Sequence, residues 1–284
     1  MLNNNQIDDE HMKLAIQAVI SELMDRVINR VLYDDPFLPE EHKAKKPLYA
    51  ALVPNEIFKG SHFERRFVTP FGGVWEKLAV VAAENGLGLG IKGHTIDGLV
   101  NQGRLRRISE VLNRLEHERD ANGARIKPNW EEELCYILAG NGEDIPTTVI
   151  CDVFAQNTNT NEVYAFELKA PLPNSDQTKV SKEKILKLYC MVPQQVTDAY
   201  FALPYNPYGK KEDYAWSFPA RWFNMKEDAS VLIGNEFWDK IGGTGTYKAF
   251  IDAINEIGTE YKDIIYREYL GIEPPEDLEN QIMK

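Results

Sequence analysis

Apolar residues recur at helical spacing through the first part of the chain. Between Met12 and Leu32 the spacing is close to helical at Leu14, Ala18, Leu23, Val27 and Val31, which predicts an amphipathic helix that ends before Pro36. The same spacing predicts further helices at about residues 74–86, 104–119, 129–139, 180–189, 247–257 and 261–270. Helices therefore dominate the chain up to Pro146.

Beta-branched and apolar residues replace the helical pattern beyond Pro146. They predict strands over about residues 147–154 and 163–169, separated by the turn-like segment QNTNTNE. A third strand is predicted over about residues 197–203, directly before the turn-forming segment PYNPYG. No internal repeat and no clear linker is visible, so the pattern predicts one mixed α/β body with a central sheet flanked by helices.

The composition is that of an ordinary globular protein, with 43% hydrophobic and 27% charged residues among 284. The longest strictly apolar run, Leu78 to Ala83, is far short of the ~20 residues that a membrane span needs. The first residues carry acids where a signal peptide carries cations, so we predict a cytoplasmic protein without membrane contact. Cys135, Cys151 and Cys190 lack the spacing of a zinc site and are expected to be reduced.

The formal net charge of −12 argues against a polyanionic partner until it is divided along the chain. The middle part, residues 59–127, carries +4, while the segments before and after it carry −4 and −12. A local basic region matters more to a DNA partner than net charge does. Arg104, Arg106 and Arg107 are therefore candidates for DNA contact, and a solvated helix face with alternating charges is the alternative interpretation.

The two strands around QNTNTNE predict a hairpin that brings charged residues together. If the turn is centred between Asn159 and Thr160, Asp152 lies directly opposite Glu167 on the same face of the hairpin. Lys169, two residues after Glu167, shares that face. Two carboxylates and one ammonium group are thus predicted to meet among apolar strand residues.

Carboxylates that lie side by side repel each other unless a cation is present. Oxygen ligands on a rigid hairpin suit Mg²⁺, which typically binds one or two carboxylates and keeps several waters. A metal beside a lysine is the set of groups that hydrolysis of a phosphodiester needs. The E-x-K spacing itself is common, since Glu41–Lys43 and Glu260–Lys262 repeat it, and a purely structural cross-strand cluster remains the alternative.

The hairpin residues resemble the PD-(D/E)XK nuclease superfamily, in which an Asp ends one strand and E-x-K lies on the next. Cys151 stands where that pattern has a proline before Asp152. The segments FELKAPLPNSDQTKVSKEKILK, YFALPYNPYG and RRFVTPFGGVWEKLA resemble the TdeIII-like group of type II restriction endonucleases. The resemblance implies one endonuclease domain over residues 1–284, with a restriction-endonuclease-like core at about 60–250 and an N-terminal helical extension at about 1–58.

The same resemblance implies a catalytic centre and a metal site. Asp152, Glu167, Lys169 and Glu76 would be catalytic, with Glu76 as the acid that an upstream helix supplies. Mg²⁺ would be bound by Asp152, Glu167 and Leu168, and Lys169 would assist the attacking water. For Glu76, an exposed helix acid is the alternative interpretation.

Other residues have weaker or less specific roles in this interpretation. Glu64 and Glu84 are the other candidates for the upstream acid. Lys182 and Lys184 lie on the lysine-rich helix after the second strand and would approach the DNA backbone, although an ordinary solvated face explains them equally well.

These features predict an Mg²⁺-dependent, sequence-specific endonuclease of the type II restriction class acting on double-stranded DNA. The resemblance implies products with 5′-phosphate and 3′-hydroxyl ends. A palindromic site calls for a homodimer, and the resemblance suggests a GGNCC-like sequence. A structure-specific repair or resolvase nuclease and a catalytically silent DNA-binding module are the alternatives. The G-x-G-x-x-G match at residues 88–93 follows a helix rather than a strand, so no nucleotide cofactor is expected.

Overall fold

The structure, a computed structural model, describes residues 4–275. The helices are α1 (Asn4–Asn29), α2 (Pro39–Lys45), α3 (Pro47–Leu52), α4 (Asn55–Gly72), α5 (Val74–Gly86), α6 (Gln102–His117), α7 (Trp130–Leu138), α8 (Ser175–Cys190), α9 (Asn235–Gly242) and α10 (Thr246–Ile264). The strands are β1 (Gly88–Lys92), β2 (Thr95–Asn101), β3 (Asp144–Ile150), β4 (Val153–Asn157), β5 (Val163–Leu168), β6 (Met191–Val192), β7 (Asp198–Leu203) and β8 (Val231–Ile233). Short π-helical segments extend α1 over Arg30–Asp34 and α10 over Ile265–Leu270.

The chain divides into two compact units. One unit contains the described residues up to Leu78 together with those from Lys248 onward, and the other contains Ala79–Tyr247. Among residues 4–275, no helix has both the length and the hydrophobicity to cross a bilayer.

The first unit is helical, as the apolar spacing predicts. The α1 residues Met12, Ile16, Ile20, Leu23 and Val27 are buried and follow one another at intervals of three or four. Hydrogen bonds connect α1 to α10. The Glu256 carboxylate of α10 accepts one from Lys13 Nζ at 2.6 Å and one from Gln17 Nε2 at 2.8 Å, both on α1. The predicted helix from Met12 to Leu32 is confirmed, but Leu14 and Ala18 of the predicted apolar face are exposed.

The second unit is built on a five-stranded mixed sheet with the order β1-β4-β5-β7-β8. Strand β4 runs antiparallel to both of its neighbours, β1 and β5, whereas β5, β7 and β8 run parallel to one another. Helix α8 is the crossover between the parallel strands β5 and β7 and packs against β7 and α6. The mixed α/β body with a sheet flanked by helices is confirmed, but the prediction of one sheet missed a second sheet with the order β3-β2-β6.

The two sheets are joined by one bent antiparallel ribbon. Its first half lies in the five-stranded sheet and its second half forms most of the three-stranded sheet. Strands β1 and β2 run antiparallel to β4 and β3, and the pairing continues between the two sheets without a shift. At the junction the Gly93 amide donates to the Asp152 carbonyl at 2.9 Å, and the Cys151 amide donates to the His94 carbonyl at 3.0 Å. Gly93 has φ +64°, a conformation that glycine adopts easily. The single strand predicted over 147–154 is therefore broken at Cys151 and Asp152.

The glycine-rich segment after α5 has a packing role. A Cβ atom on Gly90 would lie 2.7 Å from the Val80 carbonyl oxygen and 2.9 Å from the Ala83 Cβ. Strand β1 can therefore lie directly against the C-terminal half of α5 only because position 90 is glycine. This close approach accounts for the glycine at this position.

Candidate active site

The hairpin of β4 and β5 has the register that the sequence predicts. Val153 pairs with Phe166 and Gln156 with Val163, which centres the turn between Asn159 and Thr160. Asp152 directly precedes β4, so its position continues this register opposite Glu167. The predicted hairpin is confirmed.

Asp152 lies where the backbone pairing of β4 with β5 ends. Its Oδ2 atom accepts a hydrogen bond from the Leu168 amide at 2.9 Å and another from Lys169 Nζ at 2.5 Å. The segment before Asp152 bends away from β5 into the second sheet, so it offers no backbone carbonyl to the Leu168 amide. The Asp152 carboxylate accepts that hydrogen bond instead. The Asp152 side chain is 20% exposed, so solvent reaches this end of the hairpin.

Glu167 is more deeply buried, with a side chain that is only 2% exposed. Its Oε1 atom accepts from Lys184 Nζ at 2.8 Å, and its Oε2 atom accepts from Ser181 Oγ at 3.2 Å. Lys169 Nζ lies 3.5 Å from the same Oε2 atom. Two carboxylates and two ammonium groups therefore form one charged cluster at the end of β5.

Burial and charge act on this cluster in opposite directions. Burial raises the pKa of Glu167, the negative charge of Asp152 raises it further, and Lys169 and Lys184 only partly oppose the rise. Burial alone would lower the pKa of Lys169, but Glu167 and Asp152 outweigh it and raise that pKa. Lys169 is therefore an ammonium group at neutral pH and a donor of hydrogen bonds.

The donor set suits a hard divalent cation with a small number of protein ligands. Within residues 4–275 there is no group of three or more His, Cys, Asp and Glu side chains arranged for a metal ion. Asp152 and Glu167 supply carboxylate oxygens, and Asp152 borders solvent. Mg²⁺ typically needs one or two carboxylates and fills its other positions with water, so the two carboxylates fit Mg²⁺.

The upstream acid belongs to a different compact unit from the hairpin. Glu76 lies in the first turn of α5, within the first unit, whereas the hairpin belongs to the second unit. The predicted helix at 74–86 is confirmed. The role of Glu76 stays a prediction, as do the weaker candidacies of Glu64 in α4 and Glu84 near the end of α5.

The three candidate arginines lie on α6 and have different surroundings. Arg104 donates a hydrogen bond to the Cys190 carbonyl at 3.2 Å. Arg107 donates one to the Tyr136 carbonyl at 2.6 Å, and its guanidinium group lies 4.6 Å from the centroid of the Tyr136 ring. Arg106 is the most exposed of the three, with a side chain 73% exposed and an ion pair to Glu110 at 3.3 Å. Their contact with DNA stays a prediction.

The lysine-rich helix is not the ordinary solvated face that one of its two interpretations predicts. Lys182 is completely buried and pairs with the equally buried Glu133 of α7, while Lys184 contacts Glu167. Both lysines therefore have partners within the protein. The Lys182 side chain leaves no surface for the DNA backbone, whereas contact of Lys184 with DNA stays a prediction. Ser181, which sequence reasoning missed, contacts Glu167 as well; its only signal in the sequence is its spacing of three from Lys184.

Comparison with known proteins gives a consistent result. The chain matches the family of the type II restriction endonuclease HinfI over residues 12–258. The type II restriction enzyme HgiCII of Herpetosiphon aurantiacus is 26% identical over 228 residues, which are 79% of this chain and 82% of HgiCII. HgiEI, a type II restriction enzyme of the same organism, is 25% identical over 262 residues, 90% of this chain and 93% of HgiEI.

Proposed function

This chain belongs to the HinfI family of type II restriction endonucleases, and we propose that Asp152, Glu167 and Lys169 form its DNA-cleaving centre. The enzyme is a site-specific endonuclease. The observation that supports the proposed centre is the meeting of both carboxylates and the Lys169 ammonium at the end of the β4–β5 hairpin.

The cofactor that best suits this centre is Mg²⁺. Asp152 and Glu167 would hold it through carboxylate oxygens, and Leu168 would hold it through its backbone carbonyl. When bound, Mg²⁺ would polarise the scissile phosphate and make a water molecule a stronger nucleophile. The Asp152 and Glu167 side chains are already fixed by hydrogen bonds, so little reorganisation is needed to bind a cation.

Lys169 has a separate role in the proposed reaction. Its ammonium group donates hydrogen bonds, so it can orient the attacking water and stabilise the negative charge that develops on the phosphate oxygens. The water oxygen forms a bond to phosphorus and gives up a proton to the solvent as the bond to the 3′-oxygen breaks, and the 3′-oxygen takes up a proton from the solvent, so that one water molecule is consumed overall. The products carry a 5′-phosphate and a 3′-hydroxyl group.

The finer classification is also a proposal. An Asp before one strand, E-x-K on the next strand and a mixed sheet together support the PD-(D/E)XK superfamily. The TdeIII-like grouping rests on the sequence segments that resemble it, as does a short GGNCC-like palindrome. Cutting both strands of a palindrome requires two active centres, which supports a homodimer.

The test is a digest of plasmid DNA in the presence of Mg²⁺, followed by sequencing of the cut ends. We expect discrete bands, one short sequence at every cut, 5′-phosphate ends and no cleavage after chelation of the metal. Cleavage that follows branched or damaged structures would favour the repair or resolvase alternative. Specific binding without any cleavage would overturn the proposed centre.

The basic segment of α6 gives a prediction about DNA binding. Replacing Arg106 by Ala should reduce the slope of log affinity against log salt by about one if its guanidinium contacts a phosphate. A contact with guanine would instead cost about 1–3 kcal/mol on cognate DNA only. Affinity is measured on cognate and random duplexes with Ca²⁺ in place of Mg²⁺, and the same is done for Arg104→Ala and Arg107→Ala.

The matched control for these three variants is Arg119→Ala, which removes one charge from the same basic region beyond the end of α6. Equal affinities and salt slopes for all four variants and the unaltered enzyme would show that α6 presents only a solvated face. Recognition would then lie elsewhere in the chain.

A further inference from the structure

One face of α8 holds the Glu167 carboxylate at both of its oxygen atoms. Ser181 and Lys184 lie three residues apart, so they project from the same side of the helix. Lys184 Nζ lies 2.8 Å from Oε1, and Ser181 Oγ lies 3.2 Å from Oε2. Donors on opposite oxygens fix the rotation of the carboxylate as well as its position.

The fold explains why this helix reaches the end of β5. Strands β5 and β7 are parallel neighbours, and α8 is the connection that crosses between them. Asn174 caps the helix by accepting a hydrogen bond from the Gln177 amide at 2.8 Å. Because α8 begins only a short loop after Lys169, its second turn returns over the end of β5.

The two lysines of the cluster divide the two carboxylates between them. Lys169 Nζ is 2.5 Å from Asp152 but 3.5 Å from Glu167, whereas Lys184 Nζ is 2.8 Å from Glu167. Lys184 therefore supplies the closest positive charge to Glu167. If Lys184 were removed, Lys169 would be the one ammonium group left to pair with both Asp152 and Glu167 in the described ion pairs of this cluster.

We propose that Lys184, assisted by Ser181, is a positioning residue that fixes the Glu167 carboxylate for metal binding and leaves Lys169 available to the water and the phosphate. This inference rests on the proposed function, because it assumes that Glu167 and Lys169 belong to the DNA-cleaving centre. It gives Lys184 a role different from contact with the DNA backbone. The ammonium group is directed to Glu167, and its side chain is only 29% exposed.

The test measures cleavage, DNA binding and metal binding by Lys184→Ala. Loss of one charge-assisted hydrogen bond should lower kcat about 10- to 100-fold, because such bonds contribute more than neutral ones. The KM for DNA should change less than about twofold, and the salt slope measured in Ca²⁺ should be unchanged, because no phosphate contact is lost. Mn²⁺ binding without DNA, followed by electron paramagnetic resonance, should weaken about tenfold, as is typical when a group supporting a metal ligand is removed.

Two further variants and one control complete the experiment. Lys184→Arg should recover most of the lost kcat and Mn²⁺ affinity, since it keeps a cationic donor, and Ser181→Ala should show a smaller loss in both. Lys187→Ala is the matched control: it removes one charge from the same helix, where Lys187 pairs with Glu183 at 2.6 Å, and should leave every reading unchanged. Thermal melting of each variant identifies any that fails to fold.

The outcomes separate this inference from the proposed function. If Glu167→Gln cleaves DNA like the unaltered enzyme, the proposed centre itself is wrong. If Glu167→Gln is inactive but Lys184→Ala and Ser181→Ala keep normal kcat and Mn²⁺ affinity, only the positioning role is overturned. A loss for Lys184→Ala that appears in DNA affinity and salt slope, with normal Mn²⁺ binding, would assign Lys184 to the DNA backbone instead.

Discussion

Glu167→Gln and Asp152→Asn should each slow the cleavage of plasmid DNA by about a thousandfold or more. Each change removes one negative charge from an oxygen ligand, and loss of metal-dependent stabilisation of the transition state costs several kcal/mol. The amide side chains keep the shape of the originals, and the amide oxygen that Asp152→Asn introduces can still accept the hydrogen bond from the Leu168 amide. The fold and specific DNA binding in Ca²⁺ should therefore be retained.

The control for these variants is Glu162→Gln, because Glu162 lies just before the opposite end of β5 and contacts Thr160 rather than the charged cluster. Single-turnover rates on a plasmid containing one site compare the three variants with the unaltered enzyme. Lys169→Ala in the same series should lose cleavage and keep DNA binding. Near-normal rates for both carboxylate variants would return the hairpin to a purely structural role.

The hairpin could be predicted from the sequence because its information is local. A polar turn between two apolar strands fixes the register, and the side-chain period of two then places Asp152 and Glu167 on one face. The confirmed pairing of Val153 with Phe166 follows from the same turn. What brings the charged groups together is thus encoded within a short continuous segment of the chain.

The break of the strand at Asp152 could not be predicted in the same way. It depends on β1 and β2, whose glycines and exposed polar residues hide the alternation that identifies a strand. The sequence pattern therefore predicts no strand over residues 88–101, where the structure has half of a bent ribbon. The bend matters to the site because it leaves the Leu168 amide to be satisfied by the Asp152 side chain.

The buried side of the lysine-rich helix could not be predicted either. Lysines spaced along a helix are typical of a solvated face, and nothing near Lys182 in the sequence indicates its partner. Glu133 is one of three consecutive glutamates in α7, and only tertiary packing buries it while its neighbours Glu131 and Glu132 stay exposed. Long-range pairing of this kind has no periodic signal along the chain.

The Glu133–Lys182 ion pair is surrounded by protein on every side. Both side chains are 0% exposed, and Lys182 Nζ lies 2.5 Å from Glu133 Oε2. The ammonium group also donates to the Trp222 carbonyl and lies 5.1 Å from the centroid of the Phe223 ring. Burial lowers the pKa of Lys182, whereas Glu133 opposes that change. The pair joins α7 to α8, the helix that carries Ser181 and Lys184.

Lys182→Met should lower the free energy of unfolding by about 3–5 kcal/mol, because it leaves the buried Glu133 carboxylate without its counter-charge. Glu133→Leu should also be destabilising, because it leaves the buried Lys182 ammonium group without its counter-charge. The double variant Glu133→Leu/Lys182→Met should recover much of the lost stability, since an apolar pair leaves no buried charge. Urea unfolding followed by circular dichroism measures all three variants. The control on the same helix is Lys187→Met, because Lys187 is partly exposed and pairs with Glu183 rather than with a buried group, and it is expected to stay within about 0.5 kcal/mol. Equal stability of Lys182→Met and the unaltered enzyme, or additive losses in the double variant, would show that the two charges are not coupled in the folded protein.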